Sequence, residues 1–133
     1  MLNRLTSTLE FHGQSLALRS ERQRLIASNI ANADTPGYLA RDFDFAQALR
    51  EATGNGGAAA LAATTSGHLA GATGARAEPN LLYATPSQTN LDRNSVDMDR
   101  ERAAFADNSV KYEATLRFIN GHVRTMLDAI KGQ

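Results

Sequence analysis

Apolar residues recur in steps of three and four along the first thirty-odd positions. The line runs Leu2, Leu5, Leu9, His12, Leu16, Arg19, Gln23, Ile26, Ile30 and Ala33, and seven of its ten positions are apolar. That period predicts an amphipathic helix with a narrow seam, not a strand. His12, Arg19 and Gln23 interrupt the seam in its middle. Leu18 and Leu25 lie off it and predict a second apolar edge that needs a further partner.

The C-terminal repeat is cleaner. Phe105, Ser109, Tyr112, Leu116, Ile119, Val123, Met126 and Ile130 follow the same spacing, with seven of eight apolar. Asn94 or Ser95 is the expected N-cap. Asp97, Asp99 and Glu101 would then complement the positive end of the helix dipole. Lys131 and Gly132 mark the other end. Helices of this length are stabilised mainly by burying their stripes, so the two ends are expected to pair. Pairing covers only part of the apolar surface, which leaves Leu18, Leu25, Phe118 and Leu127 in need of cover from outside the chain.

The middle is looser. Pro36-Gly37 reads as a helix stop and turn. In residues 39–51, apolar and charged residues first alternate and then turn helix-like, with Phe43 and Phe45 as expected anchors on the helical core. Leu81, Leu82 and Tyr83 form a short apolar cluster, between Pro79 and Pro86, that can lie extended and pack against or pair with residues 39–45. The fold expected is mainly α: two long terminal helices in an antiparallel coiled-coil-like pair, an irregular Ala/Gly-rich middle, and room for a short β segment. The expected boundaries are 1–34 for the first helix, 35–95 for the connection and 96–133 for the last helix.

Composition narrows the chemistry. The 133 residues carry 14 basic and 14 acidic side chains, no Cys and no Trp. Without Cys there is no disulfide framework, thiolate metal site or cysteine nucleophile. Zero net charge and eight aromatic residues give no footprint for nucleic acid. From Ala52 to Ala75 there is no charged residue, which raises a membrane span as a possibility. Leu61 and Leu69 are its only large apolar residues, so the segment reads as a spacer instead. The first 20 residues contain Arg4, Glu10, His12 and Arg19 and lack the apolar core of a cleavable signal.

Candidate chemistries fall away in turn. Asp92 to Ala103 superficially resembles a calcium loop, but Val96, Asp97 and Ala103 break the ligand pattern. Asp97 and Asp99 stand two apart and so do not face each other on a helix. His12, His68 and His122 have no metal-ligand spacing, and Gly54-Asn55-Gly56-Gly57 lacks the Lys of a phosphate loop. Arg19, Arg22 and Arg24, interleaved with Glu21, read as a salt-bridged face. No catalytic, cofactor or metal site is expected.

What these readings leave is the junction from Ala27 to Tyr38. Asn29 and Asn32 offer amides that can satisfy backbone or partner groups near a helix end. Beside them, a small Ala-rich face would admit a neighbouring helix. Ser28-Asn29-Ile30-Ala31-Asn32 followed by Thr35-Pro36-Gly37-Tyr38 resembles the signature of the bacterial flagellar axial proteins, the rod, hook and hook-associated subunits. Ala40-Arg41-Asp42-Phe43-Asp44-Phe45, residues 94–101 and residues 108–112 narrow the resemblance to the rod proteins. The resemblance spans about two-thirds of the chain and passes over the Ala/Gly middle.

The resemblance implies a structural subunit that polymerises into a helical tube, transmits motor torque and binds no cofactor. Ser28 to Asn32, Thr35 to Tyr38, Arg41, Asp42 and Phe43 would be its assembly motif. The partners implied are further copies of itself, an FlgC-like rod protein, and the export gate with an FliE-like adaptor. The implied location is the periplasmic rod of the basal body, reached by flagellar type III export without a cleaved signal. A discrete helical adaptor or export chaperone is the rival reading, and an enzyme the third.

Overall fold

The computed structural model describes residues 2–54, 81–83 and 91–132. The spacer beyond Gly54, including His68, Pro79 and Pro86, lies outside the described residues. Three helices and one short strand pair make up the rest. Helix α1 spans Leu2–Ala31, β1 Arg41–Asp42, α2 Phe45–Ala52, β2 Leu82–Tyr83 and α3 Met98–Lys131. At a rise of about 1.5 Å per residue the two long helices extend roughly 45 and 50 Å.

α1 and α3 run antiparallel. The residues that meet across them descend on one helix as they rise on the other: Asn29 meets Glu101, Gln23 meets Ser109 and His12 meets Phe118. The two-stranded sheet is also antiparallel, with Arg41 opposite Tyr83 and Asp42 opposite Leu82. The apolar cluster at 81–83 thus pairs where the alternating segment begins, one of the two arrangements its pattern leaves open.

α3 has well-defined ends. Asp97, not Asn94 or Ser95, is the N-cap: its backbone is extended and its carboxylate accepts from the Asp99 and Arg100 N–H groups. Asp99 and Glu101 occupy the first turn, and Lys131 the last. Gly132 closes the helix at φ 72°, a left-handed conformation that glycine adopts without a Cβ clash. The reason the cap falls later than spacing suggests is that Asn94 and Ser95 are engaged elsewhere, against the end of α1.

The core is small and lies on one flank of α1. Leu25, Phe43 and Ala48 are buried together, with Leu18, Phe45 and Leu81 packed around them. Both phenylalanines therefore anchor the 40–48 segment, as their pattern predicts. The second apolar edge of α1 is covered from within the chain, which corrects the expectation that Leu18 and Leu25 need an outside partner. The segment is held there by chemistry that helical periodicity does not reveal. Arg22 makes a two-pronged ion pair with Asp42 at 3.0 and 3.1 Å, and the Arg19 guanidinium lies 4.3 Å over the Phe45 ring. Phe118 and Leu127 do remain outside, at 64% and 48% exposure.

The line of α3 that meets α1 is not the most apolar one. Its buried residues are Asn108 and Thr115, flanked by half-buried Ala104, Ile119, His122 and Met126. The seam expected from spacing is divided. Tyr112, Leu116, Ile119 and Met126 are half-buried, whereas Phe105, Val123 and Ile130 are exposed. On α1, Ile26 is buried, Leu5, Leu9, Leu16 and Ile30 are half-buried, and the side chain of Leu2 lies outside the described set.

Candidate functional site

Where α1 ends, the chain must reverse without leaving helix-end carbonyls bare. α1 has no basic residue in its last turn to satisfy them. Instead, the Asn32 amide donates back to the Ser28 carbonyl at 2.8 Å, and the Thr35 hydroxyl donates to the Asn32 side-chain oxygen. Gly37, at φ 72°, takes the turn beyond Pro36.

The remaining carbonyls are capped from far along the sequence. The side-chain amide of Asn94, itself 2% exposed, lies 2.8–2.9 Å from the carbonyl oxygens of Asn32, Ala33 and Thr35. Its own oxygen accepts from the Val96 N–H. Around it the strand-like stretch before α3 is fastened to the stretch after the turn. Gly37 N–H donates to Asp92 O at 2.7 Å, Ser95 N–H to Tyr38 O at 3.0 Å, and Ala40 N–H to the Ser95 hydroxyl at 2.7 Å.

Asn29 is the second fastener. It is 1% exposed, and both ends of its amide are used. Its nitrogen donates to Arg41 O at 2.8 Å and to the Glu101 carboxylate at 3.2 Å. Its oxygen accepts from Arg41 N–H at 3.0 Å and from the Tyr38 hydroxyl at 3.3 Å. The Tyr38 hydroxyl also lies 3.2 Å from that of Ser28. One side chain thus ties together the end of α1, the start of α3 and strand β1.

The predicted motif is brought together unevenly. Ser28, Asn29, Asn32, Thr35, Tyr38 and Arg41 share this hydrogen-bonded junction. Gly37 supplies the turn, while Asp42 and Phe43 attach the next segment to α1. Ile30 is half-buried; Ala31 and Pro36 are exposed. Asn29 reaches across to another helix, but the Asn32 side chain folds back on its own. Asn94, Ser95 and Glu101 belong to the junction although none was assigned to it by sequence. Asn94 carries only a cap-type signal for α3, and its amide caps the end of α1 instead.

Electrostatics single out Glu101. Burial pushes its carboxyl above the usual glutamate range; the Asn29 hydrogen bond pulls it back, Asp42 raises it, Arg100 lowers it and Asp97 raises it. Because the folded state holds this proton more tightly than the unfolded chain, the group's contribution to stability is greatest in acid. It falls as pH rises from the ordinary glutamate range through the elevated folded value. Glu21 acts in the opposite sense, since its hydrogen bond to Arg24 lowers it. Glu101→Gln keeps an oxygen acceptor for Asn29 and removes the charge. The expected result is a variant at least as stable as the parent at neutral pH, with its advantage shrinking in acid. Urea unfolding of both proteins across that range checks it.

The arrangement fastens helices. Among the described residues, no group of three His, Asp or Glu side chains is placed to hold a metal ion. No described helix is long and apolar enough to cross a membrane. His12 stacks with Phe118 at 6.0 Å and meets Phe11 edge-on at 5.7 Å, a packing role. An antiparallel pair of long helices with a hydrogen-bonded junction at one end and apolar side chains left outside defines a protein of the helical-hairpin class.

Comparison with known proteins identifies which one. Residues 9–38 match the family described as flagella basal body rod protein, a stretch that includes the turn and the Asn29–Tyr38 contact. The chain is 47% identical to the flagellar basal body rod protein FlgB of Proteus mirabilis strain HI4320, covering 98% of each chain. It is 45% identical to that of Salmonella typhimurium over 99% of each. The Escherichia coli K12 protein is 42% identical over 98% of each. This chain belongs to the FlgB family of flagellar basal body rod proteins, which are structural components of the flagellum.

Proposed function

We propose that this subunit polymerises with further copies and with other rod proteins into the helical tube that passes motor torque through the basal body. The carrying observation is the asymmetry of the helix pair. One flank of α1 is covered by the chain's own Phe43, Phe45 and Ala48, whereas α3 exposes Phe105, Val123, Leu127 and Ile130 along one side. In an isolated chain such a row is solvated apolar surface. In a head-to-tail assembly that does not close on itself, it becomes lateral contact between subunits.

On this reading α1 and α3 form the inner domain of the tube, and the junction motif holds both helices at a fixed angle while load passes through them. The reading extends to an FlgC-like rod protein as the next neighbour, and to the export gate with an FliE-like adaptor on the other side. It also extends to passage through the flagellar type III apparatus without a cleaved signal. The adaptor or chaperone alternative has no support among the relatives, which are named as rod proteins.

The test is a pair of charged substitutions on the exposed row. Val123→Glu with Leu127→Glu is expected to leave the melting temperature of the purified chain within about 2 °C, since surface changes of this kind rarely exceed about 0.5 kcal/mol. Swimming in soft agar should nevertheless be lost while the variant is still exported. Full motility with this variant in place of the native subunit would contradict the proposal.

A further inference from the structure

We propose that Gln23, Asn108 and Ser109 form a register lock that turns the apolar side of α3 away from α1. The α1–α3 interface has an alternative. About 70° around α3 from its buried line lies the more apolar line of Phe105, Leu116, Val123 and Ile130. Rotation would lay that line on α1 and bury more apolar surface, which is the usual outcome for an isolated amphipathic pair. The chain does not take it. The buried line instead holds Asn108 at 1% exposure and Thr115 at 7%, facing a stretch of α1 with Ser15 at 6%.

What opposes rotation is a set of hydrogen bonds that exist at one orientation. The Asn108 amide donates to the main-chain oxygen of Arg19 at 2.9 Å and to the side-chain oxygen of Gln23 at 2.7 Å. The Gln23 amide in turn donates to the Ser109 hydroxyl at 2.8 Å, which donates to Phe105 O at 2.8 Å. Turning α3 carries Asn108 and Ser109 out of reach and strands buried amides, which is the penalty that buried polar residues impose on wrong registers. A buried asparagine setting helix register at a cost in stability is well attested in coiled coils. The lock is not fully satisfied: the Asn108 side-chain oxygen has no hydrogen-bond partner among the described residues. A helix pair optimised for stability alone would carry an apolar side chain there. The proposal concerns the single chain and stands apart from the rod reading, although it would determine which face of α3 any neighbour meets.

The absence of Cys makes the test direct. Val123→Cys and Thr115→Cys are introduced singly, in the parent chain and in a Gln23→Ala/Asn108→Ala background that removes the hydrogen bonds without adding apolar bulk to the buried line, at concentrations where light scattering shows monomer. In the parent, position 123 should be alkylated many-fold faster than position 115. In the double-alanine background the gap should shrink at least several-fold or reverse, with helix content by circular dichroism retained. An unchanged ratio would overturn the lock. Loss of helix would overturn it too, because the proposal requires that a second packing is available once the lock is removed.

Discussion

Phe43→Ala is expected to lower stability by about 3–5 kcal/mol, the range for removing a fully buried phenylalanine and leaving its cavity. Phe43 is 3% exposed and packs with Leu25 and Ala48 in the only buried apolar cluster among the described residues. Against a typical total of about 5–15 kcal/mol, such a loss would leave the chain partly unfolded at body temperature. Denaturant unfolding measures it, with Phe118→Ala as the control. That ring is 64% exposed, so its loss should cost well under about 1 kcal/mol. Equal effects from the two variants would mean that the 40–48 segment does not form a core on α1.

Asn29→Leu is the second large effect, about 3 kcal/mol. The substitution leaves the Arg41 N–H and C=O groups and the Glu101 carboxylate without their partner, and each buried unsatisfied group costs about 1–3 kcal/mol before relaxation. For a chain of this size that corresponds to a fall of roughly 10–15 °C in Tm. Tyr38→Phe removes the longer bond to the Asn29 oxygen and the contact with the Ser28 hydroxyl, and should cost about 0.5–1 kcal/mol. A double-mutant cycle between the two positions should show coupling, because Tyr38 has less to lose once Asn29 is gone. An Asn29→Leu variant as stable as the parent would mean that the junction is an incidental turn.

These residues also show where sequence reasoning reaches its limit. The two long helices were legible because period and length agree over many turns. That residues 81–83 meet the stretch 39–45 was legible from their apolar pattern, but whether they pack or pair, and in which register, was not. The rotation of α3 was not, because apolar spacing ranks Phe105, Val123 and Ile130 above Asn108 and Thr115. Periodicity counts hydrophobic side chains, whereas the interface is oriented by hydrogen bonds between residues more than eighty positions apart. The same reason hid the role of Asn94. Its amide caps carbonyls near residue 33, and nothing local to residue 94 announces an acceptor there.

The junction motif as a set is implied by a family resemblance, whereas Asn29, Asn32 and the turn at Pro36-Gly37 are legible from the residues themselves. Ser28, Asn29, Thr35 and Tyr38 are close enough in sequence for a turn to bring them together, and the turn itself is announced by Pro36 and Gly37. Glu101 could not be joined to them by spacing, since it lies 72 positions from Asn29. Nor could Asp42 be matched to Arg22 rather than to Arg19 or Arg24. Local signals find the turn; long-range pairing decides what it holds.

The central claim is that α3 keeps its apolar side for neighbouring subunits while polar contacts hold it to α1. An electron cryomicroscopy map of the assembled basal body, with this chain traced in the rod, tests it most directly. The account predicts helices of adjacent subunits packed against Phe105, Val123, Leu127 and Ile130, with Asn108 still facing Gln23 within the subunit. A map in which that row faces open solvent, or in which α3 has rotated to bury it against its own α1, would contradict it.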